Sequence, residues 1–292
     1  MNMKIKGPLF MCLSALSFAT MGSFTKGLSQ AGFSTFQIIF FRGLTGAFIL
    51  YFTMAKGEFS WGGRCTEGRK LLFIRSILGT SGAVLYFFAI SKINLANAVL
   101  LNNLSPFWVT ILAWIFLKEK PSKKGMLYLF IILFGAILVI KPKFDFSVIP
   151  ALLGFASSLF AGGAYTYVRY LRSLDNPKNM LFWFSLYSAI FMFPLMLIYG
   201  FKVPSFYHIF LLIAVGICGA LGQIFLTWSY RVAPANEVSI YQYLNIVFAG
   251  IYGAIIWHQI PDIYSILGGL IIIGSAYLNF LDGKKEKVAK TA

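Results

Sequence analysis

The sequence predicts an all-α polytopic membrane protein, with ten transmembrane helices arranged as two inverted five-helix repeats. Three observations predict it. Of 292 residues, 59% are hydrophobic and only 12% charged, where a soluble domain carries roughly a quarter. The apolar residues fall in blocks of roughly 17–24, the length that crosses a hydrocarbon core of about 30 Å. The second half of the chain also repeats the first at a nearly constant offset.

The blocks give spans at 7–28, 33–54, 71–91, 96–117, 125–141, 149–169, 178–200, 207–229, 233–257 and 262–281. The first continues from Gly7 to Thr25, longer than the core of about 7–15 residues in a cleaved signal peptide, so it reads as an uncleaved span. The connections are short; the longest runs from Lys56 to Lys70. Cys12, Cys65 and Cys218 are scattered, with no metal spacing.

The net charge of +16 does not point to nucleic acid, because the basic residues sit in the gaps between apolar blocks. With the N-terminus in the cytoplasm, eighteen Lys and Arg fall on the cytoplasmic side. Four, Lys92, Lys141, Lys143 and Lys202, fall opposite. The positive-inside rule then places both termini in the cytoplasm, in a bacterial inner membrane. Lys26, at the outer end of the first span, reads as a snorkelling lysine.

At an offset of 139, LANAVLL (Leu95–Leu101) falls on PANEVSI (Pro234–Ile240), and Gly135 falls on Gly274. At 140, Gly79 and Gly82 fall on Gly219 and Gly222; at 141, Gly22 and Thr25 fall on Gly163 and Thr166. The expected units are 1–143, 144–283 and a basic cytoplasmic tail, 284–292. Because five is odd, the second unit starts on the opposite side and the repeats are inverted. Secondary transporters are built this way, with the substrate held near the midplane between the halves.

The segment SPFWVTILAWIFLKEKPSKKGMLYLFIILFGAILVI, with Pro106, Glu119, Gly125 and Gly135, resembles the end of a domain of the EamA family in the drug/metabolite transporter superfamily. The resemblance covers essentially the whole chain as two such domains. It implies a ten-helix carrier of small metabolites with no ATPase and no cofactor. The second half departs from the pattern, with Asn245 opposite Pro106 and His258 opposite Glu119.

Polar side chains in hydrocarbon are costly and face the bundle interior. Asn102, Asn103 and Ser105 therefore either bond helices together or line a binding site. Pro106 adds a bend and frees the carbonyl of Asn102. In the ninth span, Glu237, Tyr241 and Asn245 share a helical face at i, i+4 and i+8, with Gln242 adjacent. Glu237 reads either as a helix-terminal carboxylate or as a partner for a proton or a substrate amine. Gln223 and Trp228 in the eighth span, Tyr86 in the third and Tyr165 in the sixth complete the candidate substrate-binding set. Arg42 and Arg75 are read as an anion clamp or as structural contacts.

The expected function is a non-ATP secondary transporter of small polar or amphipathic metabolites, such as amino acids, working by alternating access. The alternative is a carrier of organic anions or nucleotide-like metabolites that uses interior Arg and Lys. The expected partners are a small-molecule substrate, the lipid bilayer and a proton or counter-substrate. No P-loop is present. The two histidines, His208 and His258, lie near span ends and assemble no catalytic group. The charge rings of a channel are also missing.

Overall fold

An apolar chain in a bilayer satisfies its backbone N–H and C=O groups internally, which favours helices. The computed structural model describes residues 3–55, 57–61, 65–117, 123–141, 148–171, 174–232 and 238–291. It is all-helical. In order, it forms α1 (Met3–Gln30), α2 (Thr35–Thr53), α3 (Thr66–Lys92), α4 (Leu95–Asn102), α5 (Ser105–Leu117) and α6 (Lys123–Ile140). There follow α7 (Ile149–Leu171), α8 (Pro177–Ile198), α9 (Phe206–Val232), a 3₁₀ turn (Ser239–Tyr243), α10 (Leu244–Trp257) and α11 (Ile263–Thr291).

Seven segments are long and apolar enough to cross a membrane: Lys6–Gln30, Thr35–Thr53, Thr66–Lys92, Leu95–Leu112, Ile149–Val168, Pro177–Ile198 and Phe206–Ser229. Lys124–Ile140 and Ile263–Asn279 are shorter apolar helices. The ninth span is α10 with its 3₁₀ lead-in, which completes ten.

Local chemistry sets the ends. The Ser34 hydroxyl accepts the N–H of Gln37 at 3.2 Å and starts α2. Asn176 caps α8 ahead of Pro177, where a missing N–H costs nothing. The α3 helix begins at Thr66, five residues earlier than the apolar block, because Cys65 Sγ accepts the Gly68 N–H and Glu67 lies in the first turn. The α11 helix runs on through the basic stretch to Thr291. The fourth span, expected as one bent helix, is broken between α4 and α5. The ninth, expected as one α-helix, opens with a 3₁₀ turn.

The packing follows the repeat. The most extensive helix contacts are α1 with α9 and α3 with α7, and these two pairs exchange when the halves are swapped. The pairs α2 with α8, α6 with α11, and α4 with α10 each map onto themselves. Small residues permit the closest approaches. A Cβ on Gly135 would stand 2.9 Å from the Gly268 carbonyl, and one on Gly268 2.6 Å from the Gly135 carbonyl. The chain termini share one end of the bundle, where Tyr128 of α6 donates to Asp282 of α11 at 2.8 Å. The largest apolar cluster, including Leu28, Phe33, Ile90, Leu95 and Val99, occupies the far end.

Candidate functional site

The site starts from the two broken spans. Pro106 sits in the first turn of α5, where its lack of an N–H is tolerated, and α4 stops four residues earlier at Asn102. The freed ends are held by side chains. Asn102 Nδ2 donates to Ser157 Oγ of α7 at 2.9 Å, and Asn103 Nδ2 donates to the Val99 carbonyl at 2.8 Å. In the other half, the 3₁₀ turn has about three residues per turn. That winding brings Gln242 and Asn245, three apart, onto the same side.

Between these breaks lies a cavity of about 110 Å³; one water molecule needs roughly 10–15 Å³ of such space. Arg75, Gly79, Gly82, Ala83, Tyr86 and Phe87 of α3 line it, with Asn102, Asn103 and Ser105 of the fourth span. Phe18 and Met21 of α1, Arg42 of α2 and Phe184 of α8 complete one wall. Ala161, Ala164 and Tyr165 of α7, Gln223 of α9, and Gln242 and Asn245 complete the other. Besides the third, fourth, sixth, eighth and ninth spans expected there, the first, second and seventh contribute.

The electrostatics are one-sided. The Arg75 guanidinium carbon lies 3.9 Å from the centroid of the Phe184 ring. That of Arg42 lies 5.5 Å from the same ring and 5.7 Å from Phe87. Arg75 is 4% exposed. Its Nε and Nη1, the Nε of Arg42 and the Oδ1 of Asn245 are buried without a hydrogen-bond partner. Among the described residues, no carboxylate lines the cavity.

Nine of the residues singled out in the sequence come together here: Arg42, Arg75, Tyr86, Asn102, Asn103, Tyr165, Gln223, Gln242 and Asn245. Trp228 instead packs against Phe10 and Phe225. Tyr241, 37% exposed, also lies off the cavity. The expected face of Glu237, Tyr241 and Asn245 assumed α-helical winding; the tighter 3₁₀ turn moves Gln242, not Tyr241, into register with Asn245. Glu237 and Glu119 lie outside the described residues.

Lys26 does not snorkel. It is 2% exposed, and its ammonium donates to the carbonyls of Ile90 at 3.1 Å and Ile93 at 2.7 Å. The end of α3 has spare carbonyls, and the cation suits its dipole. Phe184, the ring that both arginines contact, was one of 31 phenylalanines in the sequence, with no periodicity to mark it.

The sequence pattern of the EamA-like transporter family matches residues 5–141 and again 148–281. The pseudopaline exporter CntI of Pseudomonas aeruginosa is 31% identical over 270 residues, covering 91% of this chain and 93% of the exporter. A riboflavin transporter of Brucella anthropi is 27% identical over 226 residues, covering 74% of this chain and 78% of its own. A crystal structure of 16% identity covers 97% of this chain and 96% of its own with a TM-score of 0.59, a likeness of fold.

Proposed function

We propose that this membrane transporter, which belongs to the EamA-like transporter family, is a secondary carrier of small polar metabolites that works by alternating access around the central cavity. The observation that carries this reading is that both spans depart from regular α-helical winding at repeat-related positions, a break between α4 and α5 and a 3₁₀ turn leading into α10. Broken spans of this kind expose unpaired backbone and polar side chains only where they line a cavity. Here Asn103 and Gln242, repeat counterparts at an offset of 139, both border it. A continuous apolar helix would cost less, so the polar breaks are kept for a ligand.

The two halves are built alike and point opposite ways. Exchanging their conformations moves the opening from one membrane face to the other without relocating the site. The charge distribution supports cytoplasmic termini in a bacterial inner membrane, and the relatives named as exporters and transporters support a small-molecule substrate. A proton or a counter-substrate would drive the exchange.

Counterflow in proteoliposomes, scanned over a metabolite panel, tests the reading. A carrier shows saturation and trans-stimulation; a linear, unstimulated flux would refute it. Asn102→Leu and Gln242→Met each remove an amide that lines the cavity and that a bound substrate would use. They should weaken substrate affinity by about 5- to 150-fold, while the protein stays monodisperse in detergent.

A further inference from the structure

Two guanidinium groups lie over one phenylalanine ring, Phe184, at the wall of the central cavity. Arginine keeps its charge wherever it is buried. A charge removed from water needs a partner, and contact with the Phe184 ring satisfies the cation but none of its N–H donors. Three of these donors, Arg75 Nε, Arg75 Nη1 and Arg42 Nε, are buried and unbonded. In the described part of the cavity wall no acidic side chain balances them. Both cations come from the first half. Their repeat counterparts, Phe184 for Arg42 at the offset of 142 that relates the starts of α2 and α8, and Val215 for Arg75 at 140, carry no charge. The repeat therefore explains the amide pair but not the arginine pair.

We propose that Arg42 and Arg75 form the anion-binding part of the carrier's substrate site, and that the substrate is a small dianion, a dicarboxylate or a phosphomonoester. This rests on the central cavity being the carrier's site. The planar N–H fork of each arginine matches a carboxylate or phosphate edge. Phe184 keeps both guanidiniums at the same cavity wall, so that one ligand can reach the free donors of both. The amides of Asn102, Gln223, Gln242 and Asn245 are left for the uncharged remainder of the molecule. Asn245, with an unbonded carbonyl oxygen, is placed to accept from a hydroxyl or amine. Two negative charges on the ligand cancel the two cations, so the loaded carrier crosses its transition with a neutral core.

The test is thermal shift of the purified protein in lipid nanodiscs. The probes are succinate and glycerol 3-phosphate, with succinamide and glycerol as their uncharged counterparts. At least one anion should raise the melting temperature, its uncharged counterpart should not, and the responding probe tells dicarboxylate from phosphate. Arg75→Gln and Arg42→Gln should each weaken that binding about 10- to 150-fold. If either glutamine variant fails to fold, Arg75→Lys and Arg42→Lys, which keep the charge but lose the fork, should bind the anion measurably more weakly than the native protein. Equal shifts from charged and uncharged probes, no shift from either anion, or undiminished binding by the variants would overturn the proposal. If the anions fail while glutamine shifts the native protein and not Gln242→Met, the anion site falls and the carrier reading stands.

Discussion

At the far end of the bundle, α1 packs onto the α3–α4 corner; at the end carrying the termini, among the described residues, α7 packs little onto α9. The two places are equivalent by the repeat, yet their packing differs. A Cβ on Gly22 would meet Leu95 at 3.3 Å and Ile90 and Tyr86 at 3.7 Å. On its counterpart Gly163, among the described residues, it would meet only Leu78 of α3. Lys26 locks the far seam by bonding two α3 carbonyls, and its counterpart in α7 is Tyr167. Trp257 Nε1 donates to Ser23 at 3.2 Å and Thr20 meets the Tyr252 hydroxyl at 3.0 Å, tying α1 to α10; the repeat-related ties, Asn102 and Trp108 to Ser157 and Ser158 at 2.9 Å, join the fourth span to α7. The difference lies in the other contact: among the described residues α7 makes no more than glancing contact with α9 or α10, the counterparts of α3 and α4.

The difference teaches that similar halves need not hold equal seams. Among the described residues, the far seam is the more tightly packed of the two. The helices α2 and α8 are tied at both ends and so form the fixed part. Gln37 and Lys202 exchange two bonds at the far end. Ser60 and Asn179 exchange two at the other, beside the Glu58–Lys178 ion pair at 2.7 Å.

The largest expected effect comes from enlarging the paired glycines. Gly22→Leu overfills a packed seam and should destabilise the fold by about 1–3 kcal/mol, seen as a lower melting temperature. Gly163→Leu meets only Leu78 among the described residues and should lower the melting temperature less. It should nonetheless abolish counterflow, because the second seam can no longer close. Equal melting losses for the two variants would break the comparison.

Lys26→Met comes next. It removes two charge-assisted hydrogen bonds, worth about 1.5–3 kcal/mol each, and should shift the carrier toward opening at the far end. A cysteine placed at Ala98, which is fully buried there, should then react about 150-fold or more faster with an impermeant maleimide added from that side. An unchanged rate would mean that the apolar packing alone holds the seam.

The smallest effect concerns Glu58. Its bonds to Lys178 and to the Ala55 N–H hold its carboxyl below the usual carboxylate range. Its contribution is therefore present above the unfolded value of about 4.3 and is lost as the pH falls through the lower folded value. The pair is partly exposed, so about 0–1 kcal/mol is at stake. Glu58→Gln should lower the melting temperature slightly at pH 7 and by less at pH 3.

The sequence by itself determined the class and the plan: ten apolar blocks, the repeat offset, and which spans carry polar residues. Those follow from two rules that need no coordinates, the cost of polar groups in hydrocarbon and the fixed length of a crossing. They located Asn102, Asn103, Gln223 and Gln242 on interior faces and flagged both arginines. Only the tertiary structure decided how the ninth span winds, because 3₁₀ and α geometry differ by little for a short run and the surrounding helices choose between them. That choice put Gln242 on the cavity and Tyr241 off it. Tertiary structure also decided what Lys26 and Phe184 do. A lysine at a span end reaches water or carbonyls according to which helix end stands beside it, and one phenylalanine among 31 gains a role only when folding sets two guanidiniums against its face.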